Sequence, residues 1–144
     1  MKKLFLFASA ALLSVSLFAQ APKKAEDVVK FKELSFDFGK VKQGTPVTHN
    51  FTFTNVSNSP VIIESAIASC GCTTPHKPEG AVAAGKSDVI SAQYNAASPG
   101  PFNKTVTVKL AGIDLPLTLK ITGEVLTADA YAKYEASKGS NPGR

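Results

Sequence analysis

Cys70 and Cys72 are the only cysteines of the chain and stand one residue apart, in Ser69-Cys70-Gly71-Cys72-Thr73. Three chemistries suit that spacing. The first is a disulfide across a single residue. Alternate residues of an extended strand lie about 6.6–6.8 Å apart, at the limit that a disulfide spans, so the bond requires a kinked chain. Gly71, without a Cβ, can take φ > 0 cheaply and permits the kink. Closing a three-residue loop contributes only about 1.6 kcal/mol in the chain-entropy account, against about 4.7 kcal/mol for a 100-residue loop, so such a bond is a weak staple. The second chemistry is thiol–disulfide exchange, since a strained bond is easier to reduce. His76 and Lys77, on the following segment, are the cations that could activate a thiolate. The third is metal ligation by Cys70, Cys72 and His76, with His49 as a fourth ligand, a set suited to Zn²⁺ or Cu(I). The structural reading carries the most weight: a kinked turn at one end of a β-domain.

The elements that must position this turn are strands. Phe31 to Phe38 carries Leu34, Phe36 and Phe38, with turn-forming Gly39 and Gly44 behind it. Val47, His49, Phe51 and Phe53 then alternate with Thr48, Asn50, Thr52 and Thr54, one face apolar and the other polar. Asn55 to Pro60 is a cluster of turn residues, and Val61, Ile62 and Ile63 open a strand that reads as buried on both faces at its start. Pro75 to Ser87, with Pro78, Gly80 and Gly85, reads as loop before the period of two resumes over Val89 to Tyr94. A turn at Ser98-Pro99-Gly100-Pro101 leads to Thr105 to Leu110, and Leu115 to Val125 is the cleanest alternation in the chain. About seven strands with no crossover helices predict an all-β, immunoglobulin-like antiparallel β-sandwich. Pro116 suits the beginning of the last strand.

The N-terminus has the pattern of a secretory signal peptide over residues 1–19: basic Lys2 and Lys3, an apolar run from Leu4 to Phe18, and the small residue Ala19 for cleavage. That run falls short of the ~20 residues of a membrane span, and no membrane span is expected after cleavage. No cysteine lies near the cut to carry a lipid, so the mature chain is expected in the periplasm or outside the cell, where disulfides persist. Cleavage leaves 125 of the 144 residues and, with Lys2 and Lys3 gone, lowers the formal charge from +5 to +3. So mild an excess favours solubility, and an exported chain is not expected to bind nucleic acid. Residues 20–30 read as a polar spacer, 31–126 as the domain and 127–144 as a short helical or disordered tail.

Phe38-Gly39-Lys40-Val41, Phe51-Thr52-Phe53-Thr54-Asn55, Ser69-Cys70-Gly71-Cys72-Thr73, Ala84-Gly85-Lys86 and Gly123-Glu124-Val125, in that order, resemble the bacterial domain-of-unknown-function 1573 family. The resemblance spans about residues 31–126 and implies an immunoglobulin-like module. It is similar to the wider group that includes major sperm protein and the ASH and Hydin repeats, which act in binding or scaffolding. It further implies a bacterial envelope protein and supplies no catalytic mechanism or cofactor.

Nothing else in the chain assembles a reaction. Asp37, Glu64, Asp88 and Glu124 are scattered one per strand or loop, with no carboxylate pair set for acid–base work. No phosphate-cradling glycine motif or nucleophile elbow is present. His49, in phase with Phe51 and Phe53, reads as a hydrogen-bonded core or rim histidine before a ligand. The sequons at Asn50, Asn55 and Asn103 read as incidental. The expectation is a non-catalytic module without cofactor, binding another envelope protein or a surface component. The alternative is a thiol-redox or metal-binding protein centred on Cys70 and Cys72.

Overall fold

Period-two alternation of apolar and polar residues can bury one strand face only against a second sheet. The computed structural model, which describes residues 22–139, meets that demand with eight strands. These are β1 (Val29–Phe31), β2 (Ser35–Lys42), β3 (Val47–Asn55), β4 (Ile63–Ala68), β5 (Thr73–His76), β6 (Ser87–Tyr94), β7 (Gly100–Leu110) and β8 (Leu117–Leu126). One sheet runs β1-β3-β6-β5 and the other β2-β8-β7-β4. Every pairing is antiparallel except β2 with β8, which is parallel. Between the sheets lie Phe51, Phe53, Ile90, Ile63, Val106, Val108, Leu110, Leu119 and Ile121, all fully buried. At ~1.5–3 kcal/mol for each large apolar side chain removed from water, this layer is the main source of stability.

The immunoglobulin-like sandwich is as the alternation predicts, but two strands escape a reading by periodicity. The segment Phe31 to Phe38 is not one strand. It breaks at Lys32–Leu34, so β1 joins β3 in one sheet while β2 joins β8 in the other. Leu34 is correspondingly exposed. β5, only four residues long and containing Pro75, has too little pattern to announce itself, and it pairs with β6 where a loop was expected. β7 begins at Gly100 rather than Thr105. Pro101 is tolerated there because β4 reaches only the Val106–Leu110 half of β7 and leaves the other flank open. Ile62 is 49% exposed, so the third segment is not buried on both faces at its start.

The expected spacer is part of the fold. Ala25 and Val29 are 0% and 1% exposed, and the backbone of Lys23 and Ala25 bonds to both sides of Leu115. Its lysines mask these few apolar anchors in the sequence. The C-terminal segment forms α1 (Ala128–Gly139), whose first turn is capped by Thr127 Oγ1 accepting from Ala130 N–H at 3.3 Å, and it packs against β2 and β8. The expected signal peptide over 1–19 and the end of the tail lie outside the described residues. Among these, no helix is long and apolar enough to cross a membrane.

One glycine is fixed by close packing. A Cβ on Gly123 of β8 would sit 2.7 Å from two ring atoms of Phe102 and 2.9 Å from the Gly39 carbonyl oxygen. Gly39 lies in the irregularity where the β2–β8 register shifts between Asp37 and Lys40, and beyond it Lys40 pairs with Glu124.

Candidate functional site

β4 is the outer strand of one sheet and β5 the outer strand of the other, so the four residues between them carry the chain from sheet to sheet. Here Cys70 and Cys72 are joined as a disulfide with Cα atoms 5.3 Å apart, shorter than an extended pair allows. The chain is turned by backbone hydrogen bonds as well as by sulfur. Thr73 N–H donates to Cys70 O at 3.3 Å, closing a four-residue turn, and Asn95 N–H donates to Cys72 O at 3.1 Å. On the β4 side, Ser69 N–H donates to Thr105 O at 2.9 Å and Thr105 N–H returns a bond to Ser69 Oγ at 3.1 Å. Sulfur closes the turn, and Gly71 stands in it without the positive φ expected of it. Gly71 keeps a negative φ, and nothing lies within 4 Å of where its Cβ would be. Gly39, Gly44 and Gly85 do take positive φ, at 66°, 74° and 73°.

Both cysteines are half-buried, Cys72 packing against the core and Cys70 facing Thr73. Thr73 is buried, and its Oγ1 lies 3.7 Å from Cys70 Sγ. A disulfide sulfur carries no proton, so the hydroxyl is the donor. This neighbour was missed by reading for cations and ligands, and a threonine three residues from a cysteine gives no signal on its own.

The histidines do not join the sulfurs in a metal site. His49 and His76 belong to strands that flank β6, where His49 pairs with Ala92 and His76 with Ser91. Adjacent positions of a strand face opposite ways, so the two rings lie on opposite faces of the sheet. His76 ends β5, exposed. His49 points inward, only 16% exposed, with its ring stacked on Phe36 of β2 at 3.7 Å and edge-on to Phe51 at 4.6 Å. Its Nε2 donates to Glu33 Oε1 at 3.0 Å. It is therefore a bridge between the sheets, as its phase with the phenylalanines predicts. The disulfide occupies both thiolates, and among the described residues no group of three His, Cys, Asp or Glu is placed to hold a metal ion.

Asn55, fully buried, is a second hub, which the sequence marks only as a turn residue and a sequon. Its Nδ2 donates to Ser59 O and Val82 O at 2.8 and 2.9 Å, while Oδ1 accepts from Ser57 N–H and Oγ. With both amide protons used inside the protein, it is a structural residue and not a glycan acceptor.

Residues 29–125 match the family described as "Protein of unknown function (DUF1573)". The chain belongs to the DUF1573 family. No curated protein matches it. Among solved structures, this DUF1573 sandwich is similar to the human ASH/PapD-like domain 7 of CEP192, with a TM-score of 0.61 at 12% identity, covering 84% of this chain and 99% of that one. It is also similar to a protein of unknown function from Porphyromonas gingivalis W83, with a TM-score of 0.58 at 13% identity, covering 67% of this chain and 46% of that one. A third likeness is to the secreted serine protease VesC of Vibrio cholerae, with a TM-score of 0.54 at 18% identity, covering 69% of this chain but only 23% of that one. At these identities the likeness establishes the fold alone.

Proposed function

We propose that this DUF1573 chain is an exported, non-catalytic binding module of the bacterial envelope that docks an extended segment of another protein along the outer edge of β4. The carrying observation is that edge. β4 bonds to β7 on one side only, with Ile67 opposite Thr107 and Ser69 N–H bonded to Thr105 O. Antiparallel alternation then turns the N–H and C=O groups of Ala66 and Ala68 away from β7, toward solvent. Ile67, 63% exposed, is the most exposed large apolar residue among the described residues and stands between them. A six-residue strand with free main-chain groups and an outward isoleucine is the arrangement through which an added strand gains both hydrogen bonds and an apolar contact. The ASH/PapD-like fold and the signal-peptide pattern support a scaffolding role outside the cytoplasm.

The test places a photo-activatable crosslinking residue at Ser65 of the full chain, expressed in an exporting bacterium, with and without Ile67→Lys. A discrete protein adduct that disappears with Ile67→Lys is expected, since a lysine on an edge strand opposes pairing. An adduct indifferent to Ile67→Lys, or none, would overturn the reading.

A further inference from the structure

We propose that Cys70–Cys72 is a reversible thiol–disulfide exchange site, opened and closed in the folded protein by an external dithiol–disulfide carrier. Three observations carry it, none dependent on the β4 docking edge. The ring spans a sequence separation of two, so little of the fold's stability depends on its closure. The corner is held on both flanks by the bonds of Ser69, Thr73, Thr105 and Asn95, so the two sulfurs stay close when the bond between them opens, and closure needs no search. Both cysteines are partly exposed, and open space lies beside Gly71 between them.

The buried Thr73 hydroxyl gives the exchange a direction. Its donor faces Cys70 Sγ at 3.7 Å, so negative charge is better stabilised on Cys70 than on Cys72, whose side packs against the core. A thiolate of the external dithiol attacks Cys72 Sγ; the Cys70–Cys72 bond breaks and its electron pair leaves on Cys70 Sγ, which then takes a proton from solvent. The carrier's second thiolate attacks the carrier's own sulfur in this mixed disulfide, and Cys72 leaves as a thiolate and is protonated. Two electrons and two protons pass from the dithiol to the cysteine pair, and the carrier departs as a disulfide. The reverse sequence re-forms the bond.

The test follows the oxidised chain without residues 1–19 in buffer without denaturant. Dithiothreitol serves as the dithiol, and intact mass is read after acid quench and alkylation. Reduction is expected at a rate that stays constant as low concentrations of urea are added, followed by complete reclosure once the dithiothreitol is removed and excess oxidised glutathione is added. Thr73→Val, close in shape but without the hydroxyl, is expected to slow opening about tenfold at neutral pH while leaving the urea midpoint near that of the parent. Opening that accelerates in step with global unfolding would overturn the proposal, as would a Thr73→Val protein that keeps its fold and opens at the parental rate.

Discussion

The sandwich is closed along its two sides in different ways. Where β1 gives way to β2, the sheets are joined by packing: His49 of β3 stacks on Phe36 of β2, abuts Phe51 and donates to Glu33 in the connection. Where β4 gives way to β5, they are joined by a covalent ring of three residues with a hydroxyl at its side. The covalent side has the stronger bond and the smaller claim on stability. A three-residue loop removes little freedom from the unfolded chain, whereas an inward ring in contact with two others contributes apolar burial, aromatic contact and a hydrogen bond together. The difference teaches that chemistry and strength have been placed on opposite sides of the same molecule.

Substitutions can break or sharpen that contrast. The largest effect belongs to neither side but to the β7–β8 frame between them. Gly123→Ala must push the Phe102 ring or the Gly39 carbonyl aside, and a loss of about 2–3 kcal/mol is expected in urea unfolding. A near-neutral Gly123→Ala would mean that the frame yields and that the corners matter more than supposed. Next comes the packed side: His49→Ala removes the stack on Phe36 and the bond to Glu33, for an expected loss of about 1–2 kcal/mol by the same measurement. The smallest effect is on the sulfur side, where Ile67→Lys on the exposed edge should change stability by less than about 0.5 kcal/mol while abolishing the crosslink at Ser65. A large destabilisation there would show that Ile67 serves the fold and not a partner.

Much of the frame is legible in the residues. Val47 to Thr54 and Leu115 to Val125 alternate so cleanly that the faces of β3 and β8 follow directly, His49 included. What escapes is short or depends on distant partners. β5 is four residues with a proline, recognisable only because β6 offers it an edge. Ala25 and Val29 are buried by Leu115 and β3, contacts invisible within a lysine-bearing stretch. In the candidate site, the cysteine pair and its kink are readable from spacing, because an extended chain holds such residues too far apart. Gly71 stands in the turn but without a positive φ, since spacing shows that a turn is needed but not which dihedrals make it. Thr73 is legible only in the fold: its hydroxyl matters through burial and through the 3.7 Å that separate it from sulfur.

The measurement that bears most directly on the account is the unfolding free energy of the chain without residues 1–19 in urea, oxidised and then fully reduced by dithiothreitol. If packing holds the sandwich and sulfur only closes a corner, the two values differ by no more than about 1.6 kcal/mol and the reduced chain still unfolds in one cooperative transition. A drop of several kcal/mol, or a reduced chain without a cooperative transition, would contradict it.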